Sequence, residues 1–376
     1  MRVAIVQPFL NQFGGVERVV LKMAQFYNAP IYVVDYEPDK TYPEFKNLDI
    51  RRIKYPKWVN LFKFLPYKVF LGLKYGIAMM FYKFNEKYDY IIVNYPPSEW
   101  LSLRNKNVVW YCHSPLRDAY DLYEYRQKNR MKLDKFYFKI LISIFKFIDK
   151  HAVNRIKTII ANSENVKRRI ERYFDVESIV IHPCVDVEKY KNNGDGKYFL
   201  NISRFVPNKR QDYIINVFER FHDLYDKNGE YKLILAGGVS ENPDGKTYLN
   251  ELKNFVKDKP FIKIIENPTE EEVIDLYSKC TAFLFAGLDE DFGIVPLEAM
   301  ASGKPVISVA EGGPKEYIKH EKNGFLVYSI DDFVKYMKEM ADKPHYSQMI
   351  GENAIKTIKE NFSWDKFFNK MNQIIK

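Results

Sequence analysis

Phe285-Ala-Gly-Leu-Asp-Glu290-Asp-Phe-Gly293-Ile-Val-Pro296-Leu-Glu298-Ala-Met-Ala-Ser-Gly303-Lys-Pro305-Val-Ile307 reads as strand, loop, helix and strand in succession. The apolar run ends near Ala286, and a polar loop carries Glu290. Gly293 lets backbone amides approach a ligand closely. Pro296 suits a first helical position, which places Glu298 in the first turn. A second buried strand begins at Pro305. Strand, helix and strand joined this way make a parallel pair. The two carboxylates then stand at the C-terminal edge of a parallel sheet, where open α/β sheets bind ligands.

The same alternation extends in both directions. Residues 198–203, 232–236, 262–265, 281–285 and 305–309 read as buried parallel strands in the second half. Residues 2–7, 30–34, 90–94, 108–112, 158–161 and 179–182 do so in the first. Helical runs separate them, among them 16–27 and 132–155. Thr269-Glu-Glu-Glu272 has the form of a capping box at a helix start. The fold class expected is α/β, as two doubly wound Rossmann-like domains. The expected boundary follows Pro183. Residues 1–183 are expected to form the first domain and 184–355 the second. Residues 356–376, with an amphipathic run from Trp364, pack back on the first.

Composition narrows the function. The chain has 376 residues, 46% hydrophobic and 28% charged, which suits globular cores and excludes disordered or collagenous readings. Cys112, Cys184 and Cys280 stand far apart, as reduced thiols do, and form no disulfide framework or zinc cluster. The chain enters a strand at once, so the expectation is a cytoplasmic protein without a signal peptide. Residues 1–183 hold 31 Lys and Arg against 18 Asp and Glu, whereas residues 184–376 hold 27 against 31. The formal +9 therefore belongs to the first half alone. Residues 51–85 carry eight basic residues, no acidic one and many aromatics, and 126–172 carry fourteen basic against four acidic. Such stretches suit an anionic membrane surface, a nucleic acid, or an ordinary solvated face over a buried one. No P-loop, G-x-G-x-x-G, H-E-x-x-H or G-x-S-x-G pattern occurs.

The segment from Phe285 resembles the E-x7-E signature of retaining glycosyltransferases of the GT-B fold, in particular glycosyltransferase family 4, with Glu290 and Glu298 as its two acids. Three further segments agree. Asn201-Ile-Ser-Arg204-Phe-Val-Pro-Asn-Lys209-Arg210 resembles the family's R-x4-K pair. Gly14-Gly15-Val16-Glu17-Arg18 resembles its glycine loop after strand one. Trp110-Tyr-Cys-His113-Ser-Pro115 resembles the segment bearing its active-site histidine.

The resemblance implies two domains facing across a cleft and a nucleotide-sugar donor. Arg204 and Lys209 would grip the donor diphosphate, where leaving-group charge grows in the transition state. Glu298 would accept from the ribose hydroxyls. Glu290 and the amides of Phe292, Gly293 and Ile294 would hold the transferred sugar. His113 would face that sugar, and Gly14 and Gly15 would leave room for phosphate and acceptor at a helix N-terminus. Gly312-Gly313-Pro314 would be a donor-side loop.

The catalytic set implied is His113, Arg204, Lys209 and Glu290, with no metal. Asp289-Glu290-Asp291 has a D-x-D pattern but lies inside the E-x7-E segment, so it is not read as a metal site. The sequence around Tyr111-Cys-His113-Ser-Pro-Leu-Arg117 looks most like members using GDP-mannose, which favours a GDP-sugar over a UDP-sugar. A saccharide or lipid-linked saccharide is the acceptor implied, with membrane attachment through residues 51–85 and 126–172 and no nucleic-acid partner. Against this stand a sugar phosphorylase or sugar-nucleotide epimerase on the same fold, a silent sugar-nucleotide binder, and a basic nucleic-acid-binding protein.

Overall fold

The computed structural model describes residues 1–127, 132–239 and 243–375. Residues 128–131 of the second basic stretch thus lie outside the described residues. Two compact units divide the chain between His182 and Pro183, and the residues from Lys370 onward belong to the first unit. Of the closing segment 356–376, residues up to Asn369 belong to the second unit.

In the first unit the strands are β1 (Val3–Val6), β2 (Phe9–Leu10), β3 (Ile31–Val33), β4 (Asp35–Tyr36), β5 (Ile50–Arg52), β6 (Tyr90–Val93), β7 (Val108–Cys112), β8 (Thr158–Ala161) and β9 (Ile179–Val180). Seven of them form one parallel sheet in the order β5-β3-β1-β6-β7-β8-β9, and β2 pairs with β4 beside it. The helices are α1 (Gly15–Tyr27), α2 (Tyr67–Phe81), α3 (Tyr123–Gln127), α4 (Lys132–Val153) and α5 (Glu164–Phe174). Chain order turns back at β1, so the edge between β1 and β6 is the switch point of this sheet.

The second unit holds β10 (Tyr198–Ile202), β11 (Lys232–Gly237), β12 (Ile262–Glu266), β13 (Ala282–Phe285), β14 (Val306–Val309) and β15 (Phe325–Val327). All pairs are parallel, in the order β12-β11-β10-β13-β14-β15. This is the doubly wound order with its switch point between β10 and β13. Its helices are α6 (Gln211–Tyr225), α7 (Pro243–Val256), α8 (Glu270–Lys279), α9 (Ile294–Ala301), α10 (Ile330–Asp342) and α11 (Pro344–Asn361). A last helix, α12 (Trp364–Ile374), starts in this unit and ends in the first. The capping box at α8 is formed in both directions between Thr269 and Glu272. Each sheet is buried on both faces, and β1, β7, β13 and β14 contain only buried residues, as parallel strands under two helix layers must.

Two differences from the sequence expectation concern edges. β5 and β15 were not expected; each has three residues and pairs on one side only, too short to stand out from its flanks. Pro296 is the third residue of α9, not the first, and Glu298 lies one turn in. The first four helical N–H groups have no intrahelical acceptor, so proline fits at the third as it does at the first.

The first unit contains a buried polar cluster. Trp100, in the 3₁₀ turn Ser98–Leu103, lies between α2 and α4. A Cβ on Gly76 would stand 2.7 Å from its ring, and the Phe145 ring is centred 5.1 Å away. Its Nε1 donates to Asp149 at 3.0 Å, and the Tyr120 hydroxyl donates to the other carboxylate oxygen at 2.8 Å. Glu99 is fully buried beside Asp149. Loss of water, then the neighbouring Asp149 charge, holds the Glu99 carboxyl well above the usual range, and burial raises Asp149 as well.

A carboxyl whose pKa is raised by folding stabilises the fold fully below its unfolded value, about 4.3 for Glu. That contribution is lost as pH rises through the folded value, by up to about 1.4 kcal/mol per pH unit for one proton. Glu99→Gln should therefore lose less stability than the parent between pH 4 and 7, measured by urea denaturation. Parallel stability–pH curves would contradict the raised Glu99 carboxyl.

Candidate functional site

Three loops meet at the C-terminal edge of the second unit's sheet: residues 203–210 after β10, 286–293 after β13 and 310–313 after β14. The first two flank the switch point. Their backbones are joined directly, with Leu288 N donating to Asn208 O at 2.9 Å. The Lys209 Nζ meets Glu290 Oε2 at 2.5 Å, with both side chains largely buried. Glu290 is folded back, since a Cβ on Gly287 would stand 2.9 Å from that same oxygen. Arg210 adds a second ion pair, its guanidinium lying 3.1 Å from both carboxylate oxygens of Glu311. That ion pair ties the first loop to the third.

The third loop packs backbone against backbone. Gly312 adopts φ 63°, and a Cβ there would stand 2.4 Å from Glu290 O. Gly313 N donates to the same carbonyl at 2.8 Å. A side chain at residue 312 would be strained by its φ and would collide with an atom that cannot move aside. Gly293, the N-cap of α9, has φ 84°, and its carbonyl accepts from Tyr317 at 2.7 Å. Tyr317 is almost fully buried, and burial drives its hydroxyl well above the ordinary tyrosine range, so it stays a donor. Phe292 packs edge-on to that ring and is itself buried, so its side chain serves the loop, while Ile294 begins α9.

Glu298 is 9% exposed, and its Oε2 accepts from the buried Tyr277 of α8 at 3.1 Å. Arg204 follows β10 after Ser203. Its carbonyl accepts from Gln211, which is fully buried, and its own side chain is exposed. Of the residues expected here, the structure brings Lys209 and Glu290 into contact. It places Arg204 and Glu298 on flanking elements of the same edge. Sequence reasoning did not single out Tyr277, Tyr317 or Glu311. The tyrosines lie in helical or turn contexts indistinguishable from core positions, whereas Glu311, directly before a glycine pair, was visible.

The first unit has its own group at the β1–β6 switch point. His113 follows β7, is buried, and has Nε2 3.4 Å from Asn94 Oδ1. Asn94 in turn donates to Val6 O at 3.3 Å. Gly14 is the N-cap of α1 and Gly15 its first residue. The space above Gly14 is filled by a side chain of the same chain, because a Cβ there would stand 2.4 Å from Glu17 Oε2. Glu17 is fully buried, and its Oε1 accepts from Gln12 at 2.9 Å and Gln7 at 3.5 Å. Gly14 thus makes room for this folded-back carboxylate. The signal was present as a glutamate three residues after the glycine, at the helix position where acids reach back to the N-terminus.

Gly14→Ala should push that carboxylate away and lower the thermal midpoint, by an amount comparable to Glu17→Ala. If the two act through one contact, the double variant loses less than the sum of the singles, by about 0.5 kcal/mol or more. Additive losses would refute the coupling.

Comparison with known proteins agrees with this geometry. A family model described as "Glycosyltransferase Family 4" matches residues 13–189, and one described as "Glycosyl transferases group 1" matches residues 185–357. The alpha-1,3/1,6-mannosyltransferase ALG2 of Dictyostelium discoideum is 23% identical, covering 100% of this chain and 98% of that protein. Among solved structures, Anabaena HepE in complex with UDP and glucose superposes with a TM-score of 0.74 at 17% identity, covering 99% of this chain and 98% of that one. Sucrose-phosphate synthase from Thermosynechococcus elongatus gives 0.75 at 16%, covering 99% and 98%. These likenesses establish the GT-B fold. With consecutive family models spanning residues 13–357 and relatives of the same family along the whole chain, the protein is a glycosyltransferase and belongs to family 4, group 1.

Proposed function

We propose that this enzyme transfers a hexose, mannose from GDP-mannose, to a hydroxyl of a saccharide or lipid-linked saccharide with retention at the anomeric carbon. The observation that carries the reading is the Lys209–Glu290 contact at the β10–β13 switch point, with Glu298 one turn into α9. It sets a cation and two acids where a nucleotide sugar needs them. The whole-chain relative named as a mannosyltransferase supports mannose.

In this reading the bond from the sugar's C1 to the β-phosphate oxygen breaks, and the acceptor oxygen bonds to C1. The acceptor's proton goes to the departing diphosphate. Negative charge grows on that diphosphate, and Arg204 and Lys209 stabilise it as a planar fork and a point charge. The ammonium has three donors, so Lys209 can keep Glu290 while taking a phosphate oxygen. Glu290 and the amides beyond it hold sugar hydroxyls, and Glu298, oriented by Tyr277, takes the ribose. His113 and the Gly14–Gly15 loop serve the sugar and acceptor side. With two cations in this role the reaction is read as needing no metal, so turnover should survive EDTA. The same reading carries residues 51–85 and 126–172 as a membrane-directed surface of a cytoplasmic enzyme. No helix among the described residues is long and apolar enough to cross a membrane.

Incubation with GDP-mannose and a saccharide acceptor, followed by proton NMR of the product, tests the reading. An α-linked mannoside is expected. Turnover that requires inorganic phosphate, or that proceeds without an acceptor to a new sugar nucleotide, would replace it with a phosphorylase or an epimerase. Lys209→Ala or Arg204→Ala should lower kcat by about 10²–10³-fold, and near-normal turnover would refute the leaving-group role. Glu298→Ala should mainly raise KM for the donor, since ribose contacts are shared by ground and transition states. Tyr277→Phe should move KM the same way by less. A fall in kcat at constant KM would contradict the ribose role.

A further inference from the structure

The two basic stretches of the first unit are far apart in sequence, yet their helices share one packing partner. α2 and α4 both pack on the 3₁₀ turn Ser98–Leu103, on either side of Trp100. Their outward sides are unusually apolar. In the 3₁₀ turn Lys57–Phe62 and the residues leading into α2, Trp58, Leu61 and Phe64 are 50%, 74% and 79% exposed. On α4, Ile140, Ile144 and Phe147 recur at helical spacing and are 44%, 53% and 78% exposed. The opposite side of the same helix, with Phe145, Ile148 and Ala152, packs into the core. A helix apolar on its inner and outer faces alike is not built to face water alone.

The structure also sorts the lysines and arginines. Arg51 pairs with Asp49 and Glu86, Arg52 donates to the Val34 and Tyr36 carbonyls, Lys74 pairs with Asp35, and Arg169 is buried on Ser114 and Asp121. These serve the fold. Lys54, Lys57 and Lys63 are exposed before and within the first apolar patch, Lys83 is exposed beyond the far end of α2, all in a stretch without any acidic residue, and Lys139 and Lys150 are exposed on α4.

We propose that the Trp58–Phe64 corner and the outer face of α4 form one bilayer-contacting surface, whose aromatic and aliphatic side chains enter the headgroup–acyl boundary while the flanking lysines take anionic lipid headgroups. The proposal rests on the membrane-directed reading given above and fixes its residues and lipid chemistry. An anionic bilayer supplies both an apolar layer and a negative surface, the two complements this surface requires. A second copy of the chain does not, because a two-fold contact would set the lysines of one copy against those of the other.

Flotation of the intact protein with vesicles of phosphatidylcholine alone, or with phosphatidylglycerol added, tests this. Binding is expected to the anionic vesicles and to weaken with salt. Phe64→Ser with Phe147→Ser should weaken it by about tenfold or more. Each of Lys57→Gln and Lys63→Gln should weaken it by about fivefold. Failure of the parent protein to float with anionic vesicles, or equal flotation of parent and variants, would overturn the proposal. So would a dimer in solution that Phe147→Ser abolishes, or salt-sensitive RNA binding that outcompetes the vesicles. Turnover of GDP-mannose by the same preparations separates the two readings. A protein that turns over donor but does not float refutes the surface alone, and one that floats without turnover refutes the transferase reading alone.

Discussion

The distance between two backbones constrains the candidate site of the second unit. Gly312 lies so close to the Glu290 carbonyl that a single added carbon would stand 2.4 Å from it. This contact, with the amide of Gly313 on the same oxygen, fixes the loop that carries Glu290. Glu290 in turn holds Lys209, and Arg210 holds Glu311. Loops after three different strands, with only the short 3₁₀ turns Pro207–Lys209 and Gly313–Glu316 of their own, are thereby joined into one edge. A preorganised edge is what catalysis of charge separation requires, because cations already in place cost no rearrangement when the leaving group forms.

The ion pair at its centre also has a stabilising role. Lys209 and Glu290 are both largely withdrawn from water, and removing one partner leaves the other buried without its counter-charge. Each unit organises its site in the same way, with a polar cluster at the edge where strand order reverses. In the second unit the cluster contains charges. In the first it contains amides, a histidine and one carboxylate, with Gln7, Asn94, His113 and Glu17 all buried.

Much of this was legible in the sequence. The alternation of buried strands with helices gave both sheets except β5 and β15, since a strand of three residues beside a loop has no period to detect. The acids and cations of the donor side were legible as types and spacings. Their partners were not: Tyr277 and Tyr317 look like core aromatics until the structure shows their hydroxyls on Glu298 and on the Gly293 carbonyl. Gly14 was read as room for phosphate and acceptor, and its further role beside the Glu17 carboxylate was not foreseen. Net charge misled in a further respect, because it counts Arg51, Arg52, Lys74 and Arg169 as available charge although each is engaged by partners within the fold. Periodicity cannot distinguish an arginine that caps carbonyls from one that faces solvent.

The central claim is that the Lys209–Glu290 edge is a nucleoside-diphosphate site that favours guanine. Thermal-shift titration of the parent protein and of Lys209→Ala with GDP, UDP and ADP tests it most directly. At 100 times its Kd a ligand stabilises the folded state by about 2.7 kcal/mol. The largest shift is expected with GDP, and a much smaller one in the variant at the same concentration. Equal shifts for parent and variant, or no shift with any of the three nucleotides, would contradict it.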